Sequence, residues 1–302
     1  MRDIHAMAPE TGQLDLRHVG VESVLKPLNV DRGGRVLTLT VTFGVTVDLP
    51  AQRKGSDLSR NAELLAEVVD RTVTHPVPSL ESACSEIARE LLTRHPYAQE
   101  SSVRASAVYF LPHGLSRDRS SLEDYLLVAE AHATRVEGGP PRIRRSIGAE
   151  AVGMTACPCA METARDLLRD QYPAMRDSSL DGMPVVTHNQ RNRTRLTFEL
   201  GEPDEVEADE MVAAVEAAQS SPTYAILKRG DEAKVVLAAH QSPRFVEDVL
   251  RDLLASVPAR FPGLQDSVIV RAETTSEESI HKYNVVASHA ASLGELRQRA
   301  AA

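Results

Sequence analysis

The sequence predicts an α+β protein made of two tandem ββααββ halves with antiparallel sheets. Three observations carry that expectation. Apolar and polar residues alternate with period two in several runs, the signature of half-buried strands. Each half also holds two segments with an apolar stripe at helical spacing. Finally, Gly138-Gly139-Pro140-Pro141 breaks the chain between two stretches that follow the same element order.

In the first half, Leu14 to Val30 reads as a strand, Asp31-Arg32-Gly33-Gly34 as a turn, and Arg35 to Leu49 as a second strand. The second strand sets Val36, Thr38, Thr40 and Thr42 against Leu37, Leu39, Val41 and Phe43, so the two form a hairpin. Pro50 to Ser59 is a basic loop. Asn61 to Thr72 carries Leu64, Leu65, Val68 and Val69 at helical spacing. After Pro76 and Pro78, a second helix runs to Arg94 with Ser79 as its N-cap. Cys84 lies on its apolar face and reads as a core residue. Val103 to Leu111 and Tyr125 to Val136 complete the half as strands.

The second half repeats the order. Arg142 to Thr155 is strand-like, Met161 to Met175 is a partly helical excursion, and Arg193 to Leu200 is a strand. Glu207 to Gln219 and Pro243 to Val257 are helices, and Ser267 to Ala272 and Tyr283 to Ser288 are strands. The expected organisation is a flexible tail over residues 1–13, one unit over 14–139 and a second over 140–302. No residue-level repeat joins the halves. Each would cover one sheet face with its helices and leave strand edges open, which predicts oligomerisation.

Composition narrows the function. The chain has 302 residues, 42% hydrophobic and 25% charged, which is ordinary for a globular protein. Its net charge of −9 argues against a nucleic-acid partner, and 4% aromatics with no Trp leave no stacking platform. No apolar run reaches the roughly 18 residues that a membrane span needs. No secretion signal is visible at the N-terminus. Two of the three cysteines are too close for an ordinary disulfide, so a reducing cytoplasm is the expected setting.

The residues with chemical potential lie mostly in the second half. Gly153-Met154-Thr155-Ala156-Cys157-Pro158-Cys159 ends a strand-like run. In extended backbone Cys157 and Cys159 would face one side. They are either two inert thiols or half of a metal site. Thr187-His188-Asn189-Gln190-Arg191 adds an imidazole, and thiolate with imidazole suits zinc or ferrous iron, which moves the balance toward a site. Lys228-Arg229-Gly230-Asp231-Glu232 reads as a charged hairpin turn ahead of Val235-Val236-Leu237. Glu247, in Phe245-Val246-Glu247-Asp248, is a helix-face carboxylate beside apolar anchors. Glu278 and His281, in Glu278-Ser279-Ile280-His281, are either a reactive pair or surface decoration. Arg191, Arg193 and Arg195 share a strand face, which is either solvated or suited to a polyphosphate. No Gly-x-x-x-x-Gly-Lys or Gly-x-Gly-x-x-Gly loop is present.

The four blocks 153–159, 187–191, 245–248 and 278–281, in that order, resemble the type IB GTP cyclohydrolases, the metal-dependent group distinct in sequence from type IA. The likeness covers the chain after about residue 13. It implies the tunnelling fold, in which ββααββ units assemble into barrels across subunits, two units per chain in a homotetramer. It also implies a divalent metal ion (Fe2+, Mn2+ or Zn2+) on Cys157, His188, Glu232 and His281, with GTP as substrate. Cys159 would lie at the site, His281 and Glu278 would take part in catalysis, Glu247 would hold the guanine, and Arg191 and Lys228 would contact phosphate. Two features depart from the commoner bacterial pattern. The long gap between Cys159 and His188 is more like the archaeal branch, which makes a cyclic phosphate of dihydroneopterin and prefers ferrous iron. Asp57-Leu58, in Lys54-Gly55-Ser56-Asp57-Leu58-Ser59-Arg60, stands where the family usually shows His-Met.

The implied reaction is hydrolysis of GTP to 7,8-dihydroneopterin triphosphate and formate, early in pterin and folate synthesis. The alternative product is 7,8-dihydroneopterin 2′,3′-cyclic phosphate. A deazaguanine nitrile reductase is a rival, but that family's Glu-Ser-Lys-Ser-x-Lys motif is missing here. A metal-stabilised oligomer without activity is the non-enzymatic rival.

Overall fold

The computed structural model describes residues 3–300 except 11, 13, 116–119, 173–181, 202 and 203. It is α+β, and the described residues form nine strands and seven helices. Two compact units divide it. Unit 1 is Met1–Tyr109, Leu126–Ile147 and Glu199–Pro203; unit 2 is Phe110–Tyr125, Gly148–Phe198 and Asp204–Ala302. The Gly138-Gly139-Pro140-Pro141 break falls in a connection between two strands, and the division runs through those strands.

In unit 1, β1 (Leu16–Arg32) and β2 (Arg35–Leu49) form the expected antiparallel hairpin, in register from Val24↔Phe43 to Arg32↔Arg35. Gly33 and Gly34 both have positive φ, 62° and 87°, which a two-residue hairpin turn of this hand requires. Every second residue of β2 from Leu39 to Leu49 is buried, as the alternation predicts. β3 (Glu100–His113) and β4 (Ser121–Thr134) follow, giving the order β1-β2-β3-β4. Helices α1 (Leu58–Thr74) and α2 (Leu80–Arg94) pack on each other and on the hairpin. Their stripes, Leu64, Leu65 and Val68 against Ile87, Leu91 and Leu92, are at most 1% exposed. Ser79 caps α2 by accepting from the Ser82 N–H at 3.2 Å, and Cys84 is fully buried. The described residues of the N-terminal segment bond to the loop after β2. The Lys54 N–H donates to the His5 and Met7 carbonyls, and Lys54 Nζ reaches Glu10 at 3.1 Å.

Unit 2 takes most of β5 (Arg142–Ala156), then α3 (Pro158–Gln171), β6 (Asn189–Leu200), α4 (Ala208–Ala217) and the two-residue β7 (Ser221–Pro222). α5 (Arg229–Gln241), α6 (Val246–Arg260), β8 (Ile269–Glu277), β9 (Val285–Ser292) and α7 (Leu293–Ala300) complete it. The strand order is β5-β6-β8-β9, with β7 on β5. α6 buries Val249, Leu253 and Val257 against β8, β9, α4 and α7. Phe198 of β6 meets Phe261 at 4.8 Å.

Three local expectations change. Cys157 and Cys159 do not share an extended strand. Pro158 opens α3, because a proline at the first helical position costs no hydrogen bond and has helical φ already. Lys228–Glu232 is no hairpin turn; it starts α5, whose first turn is held by the Lys228 N–H donating to Asp231 Oδ2 at 3.3 Å. α7 was not foreseen. The expected partly helical excursion over Met161 to Met175 is helical to Gln171, and residues 173–175 lie outside those described.

Candidate active site

The site is built where three strands of unit 2 end near the start of α6. β5 delivers Cys157, which becomes the N-cap of α3 with its Sγ accepting from the Ala160 N–H at 3.4 Å. The segment entering β6 is fastened beside it. Thr187 Oγ1 donates to the Cys157 carbonyl at 2.8 Å, and the Cys157 N–H donates to the His188 carbonyl at 3.1 Å. These bonds place thiol and imidazole together although 30 residues separate them. β8 carries Ser276 and ends at Glu277, Glu278 follows directly, and the bend beyond carries His281 and Tyr283. The Arg244 N–H donates to the Ala156 carbonyl at 2.9 Å, which brings the first turn of α6 and Glu247 to the same place.

The result is a cavity of about 210 Å³ lined by Cys157, His188, Glu247, Glu278 and His281, with Gln190, Arg244, Phe245 and Tyr283 among the others. The His188 and Glu278 side chains are only 12% and 8% exposed, and His188 Nδ1 lies 3.7 Å from Glu278 Oε2. His188 and His281 meet edge to face with ring centroids 6.3 Å apart. Tyr283 stacks on His281 at 5.0 Å. Ser276 Oγ donates to Glu278 Oε1 at 2.8 Å, and His188 Nδ1 is 2.9 Å from Gln190 Oε1.

Five of the expected site residues therefore converge, and four do not. Cys159, in the first turn of α3, is exposed and outside the lining. Glu232 and Lys228, at the start of α5, and Arg191, exposed on β6, are also outside it. The arginine row is largely committed to a neighbour. Arg193 and Arg195 pair with Glu150 at 2.9 and 2.7 Å, and the hydrogen bond that Arg193 donates to Glu150 raises the Arg193 pKa further. Arg244, Gln190, Ser276 and Tyr283 had been given no role by sequence reasoning. Gln190 stood inside a quoted motif, and Arg244 directly before another.

Asp57, at the departure from the family's His-Met, stands at the N-cap position of α1, beside Arg60 at 3.2 Å, the His5 ring at 3.3 Å and Arg53 at 3.6 Å. With Asp3 and His5 it forms the one group among the described residues whose three ligand atoms all lie within 4.8 Å. The two arginines already neutralise Asp57, so that group is an ion-pair cluster.

In the cavity one thiol and two imidazoles stand beside the carboxylates of Glu247 and Glu278, and thiol sulfur with imidazole nitrogen is a donor set that fits a divalent metal. The His188 ring fits in detail. Gln190 Nε2 donates to Thr155 Oγ1 at 3.1 Å, so Gln190 turns its carbonyl oxygen to His188, an arrangement that suits the Nδ1–H tautomer of a neutral ring. Nε2 is left with a lone pair.

A family model described as type I GTP cyclohydrolase folE2 matches residues 1–287. The chain belongs to that family. GTP cyclohydrolase MptA of Methanococcoides burtonii is 38% identical to it over 303 residues, covering 98% of this chain and 95% of that one. GTP cyclohydrolase MptA of Methanothermobacter thermautotrophicus is 38% identical over 289 residues, covering 93% and 91%. The type IB group, reached above from four short motifs, and its archaeal branch, reached from the gap between Cys159 and His188, are thus supported along nearly the whole length. Among solved structures, a uricase from Bacillus fastidious superposes with a TM-score of 0.55 at 9% identity, covering 95% of this chain and 96% of that one. A uricase from Arthrobacter globiformis gives 0.51, also at 9% identity, with the same coverage. These share the fold.

Proposed function

We propose that this GTP cyclohydrolase converts GTP to 7,8-dihydroneopterin 2′,3′-cyclic phosphate, with formate and diphosphate released. The sequence reading put the triphosphate product first. The near full-length identity to the MptA enzymes is the observation that reverses the order. The same match leaves the nitrile reductase without support.

The residues divide by role. Cys157 Sγ, His188 Nε2 and His281 would hold a divalent metal such as Fe2+, Mn2+ or Zn2+, and Glu232 is assigned to the set on the family resemblance alone. Such an ion supplies a water acidic enough to give hydroxide near neutral pH, for attack at C8 of the guanine. Glu278, nearly buried and accepting from Ser276, would take and return protons during ring opening. Glu247 faces the cavity from the first turn of α6 and would accept from the guanine N1–H and amino group. A volume of about 210 Å³ takes the base but not the whole nucleotide, because pockets for larger ligands run to roughly 300–1,000 Å³. The triphosphate would then extend outward, to Arg191 and Lys228 in our assignment, with Cys159 at the rim. The edge strands β1 and β9 offer unpaired backbone for assembly into cross-subunit barrels of the tunnelling type, and we propose a homotetramer.

The test is incubation with GTP and each of Fe2+, Mn2+ and Zn2+, followed by formate measurement and mass spectrometry. A cyclic monophosphate is expected. An intact triphosphate side chain would restore the first reading, and no formate with any metal would overturn both.

A further inference from the structure

The ring of His188 is held by more than Gln190. Starting from the carboxylate, each proton in the surrounding network has one available direction. Glu278 can only accept, so the Ser276 hydroxyl proton points at Oε1, 2.8 Å away. With that proton committed, Ser276 Oγ is left as the acceptor in its 3.5 Å contact with the Thr155 hydroxyl. That leaves Thr155 Oγ1 as acceptor for Gln190 Nε2 at 3.1 Å, which turns Gln190 Oε1 to His188 Nδ1 at 2.9 Å. The path closes on itself, since Glu278 Oε2 is 3.7 Å from the same Nδ1. Thr155, Gln190 and Ser276 are all at most 9% exposed, so water does not compete freely for these bonds. Thr155 comes from β5, Gln190 from β6 and Ser276 from β8, which are neighbours in the sheet order.

We infer that Thr155 and Ser276 are positioning residues. Through Gln190 they fix the His188 imidazole as its Nδ1–H tautomer, so that the Nε2 lone pair is presented to the metal. The inference rests on the reading of His188 as a ligand. Without the Thr155 hydroxyl, the Gln190 amide is free to turn over and offer N–H to Nδ1. The ring proton then moves to Nε2, and the lone pair is lost from the metal side.

The experiment uses full-length protein and Mn(II) itself as the probe, titrated by electron paramagnetic resonance of the free ion. Metal-free samples labelled with 15N-histidine report the His188 tautomer, assigned by the loss of its signal in His188→Ala. Outer partners of this kind are worth roughly 10–100-fold in metal affinity, so Thr155→Val and Ser276→Ala should weaken Mn(II) binding by about that factor. Both should replace the pure Nδ1–H signature with a mixture, while Thr155→Ser, which keeps the hydroxyl, restores both readouts. Should Thr155→Val fail to fold, Ser276→Ala carries the same test. Unchanged affinity and an unchanged tautomer in the variants, with Mn(II) binding lost in His188→Ala, would overturn the inference alone. Mn(II) binding that survives His188→Ala would overturn the ligand assignment and the inference with it.

Discussion

Gly153 offers a demanding check on the packing behind the site. A Cβ added there would lie 1.8 Å from Gln219 Oε1, 2.5 Å from Gln219 Cδ and 2.8 Å from the Ser221 carbonyl oxygen. Gln219 is 4% exposed, and neither of its amide atoms has a hydrogen-bond partner, so it has little space to withdraw into. Ser221 belongs to β7, which is registered on β5 through Gly153↔Pro222 and Met154↔Ser221. Overpacking usually costs about 1–3 kcal/mol, and an overlap this deep, against backbone as well as side chain, belongs at about 3 kcal/mol or above. At roughly 2–4 °C per kcal/mol for a unit of this size, Gly153→Ala should lower Tm by about 6–12 °C. Since β5 leads into Cys157, kcat/KM should fall as well. Adding Gln219→Ala removes the two shortest contacts and leaves the one at 2.8 Å. The double variant should therefore recover more than half of the loss, a coupling of roughly 2 kcal/mol. Thermal unfolding of the two single variants, the double and the parent completes the cycle. A parent-like melting curve for Gly153→Ala, or a double variant no more stable than Gly153→Ala, would refute the reasoning.

Glu247→Gln should lower kcat/KM by roughly 10- to 150-fold, the worth of a hydrogen bond to a charged group, with metal content unchanged. Glu232→Gln should instead lower metal content and be partly rescued by excess metal; metal analysis and GTP kinetics on the pair decide between the roles. A thiol reagent should modify exposed Cys159 first, and Cys159→Ser should remove that fast phase. Cys84 should react only on unfolding, because full burial raises its pKa and closes access. Burial also lowers the pKa of His95, whose ring is bonded to Asn61 and Tyr97. The unfolded chain then binds the proton first, so this part of the stability is complete above about pH 6.5 and is lost as pH falls from there toward the depressed folded value. Urea midpoints on either side of that window should differ less in His95→Gln than in the parent.

The first-half hairpin and both its helices were legible because several local signals agree there: strict alternation in β2, Gly33-Gly34 at the turn, a continuous stripe and a serine cap in α2. Legibility failed where one residue type has two meanings. Pro158 is equally a strand stop and a helix start, and the choice rests on whether the chain beyond it can bury a face, here through Met161. α5 buries only Val235 and Ala239 along its apolar side, too narrow a stripe to announce a helix. The alternating arginines of β6 correctly marked a strand, but their neutralisation by Glu150 depends on a residue more than 40 positions away.

The site divides along the same line. Cys157, His188, Glu247, Glu278 and His281 were visible because thiol, imidazole and carboxylate are rare enough to be noticed wherever they stand. Thr155, Gln190 and Ser276 are neutral, common side chains, and nothing about them is notable until β5, β6 and β8 set their atoms 3.1 to 3.5 Å apart. Glu278 belongs to both groups. One carboxylate oxygen accepts from Ser276 and the other faces His188, so the residue proposed to move protons also orders the hydroxyls that orient the ligand. A substitution at Glu278 should therefore disturb metal affinity as well as turnover. Glu278→Gln keeps the shape, but its amide nitrogen either faces Ser276 and reverses the hydroxyl order or faces the Nδ1–H of His188 as a second donor. Its loss of activity is then to be partitioned by measuring bound metal before any role in proton transfer is read from kcat.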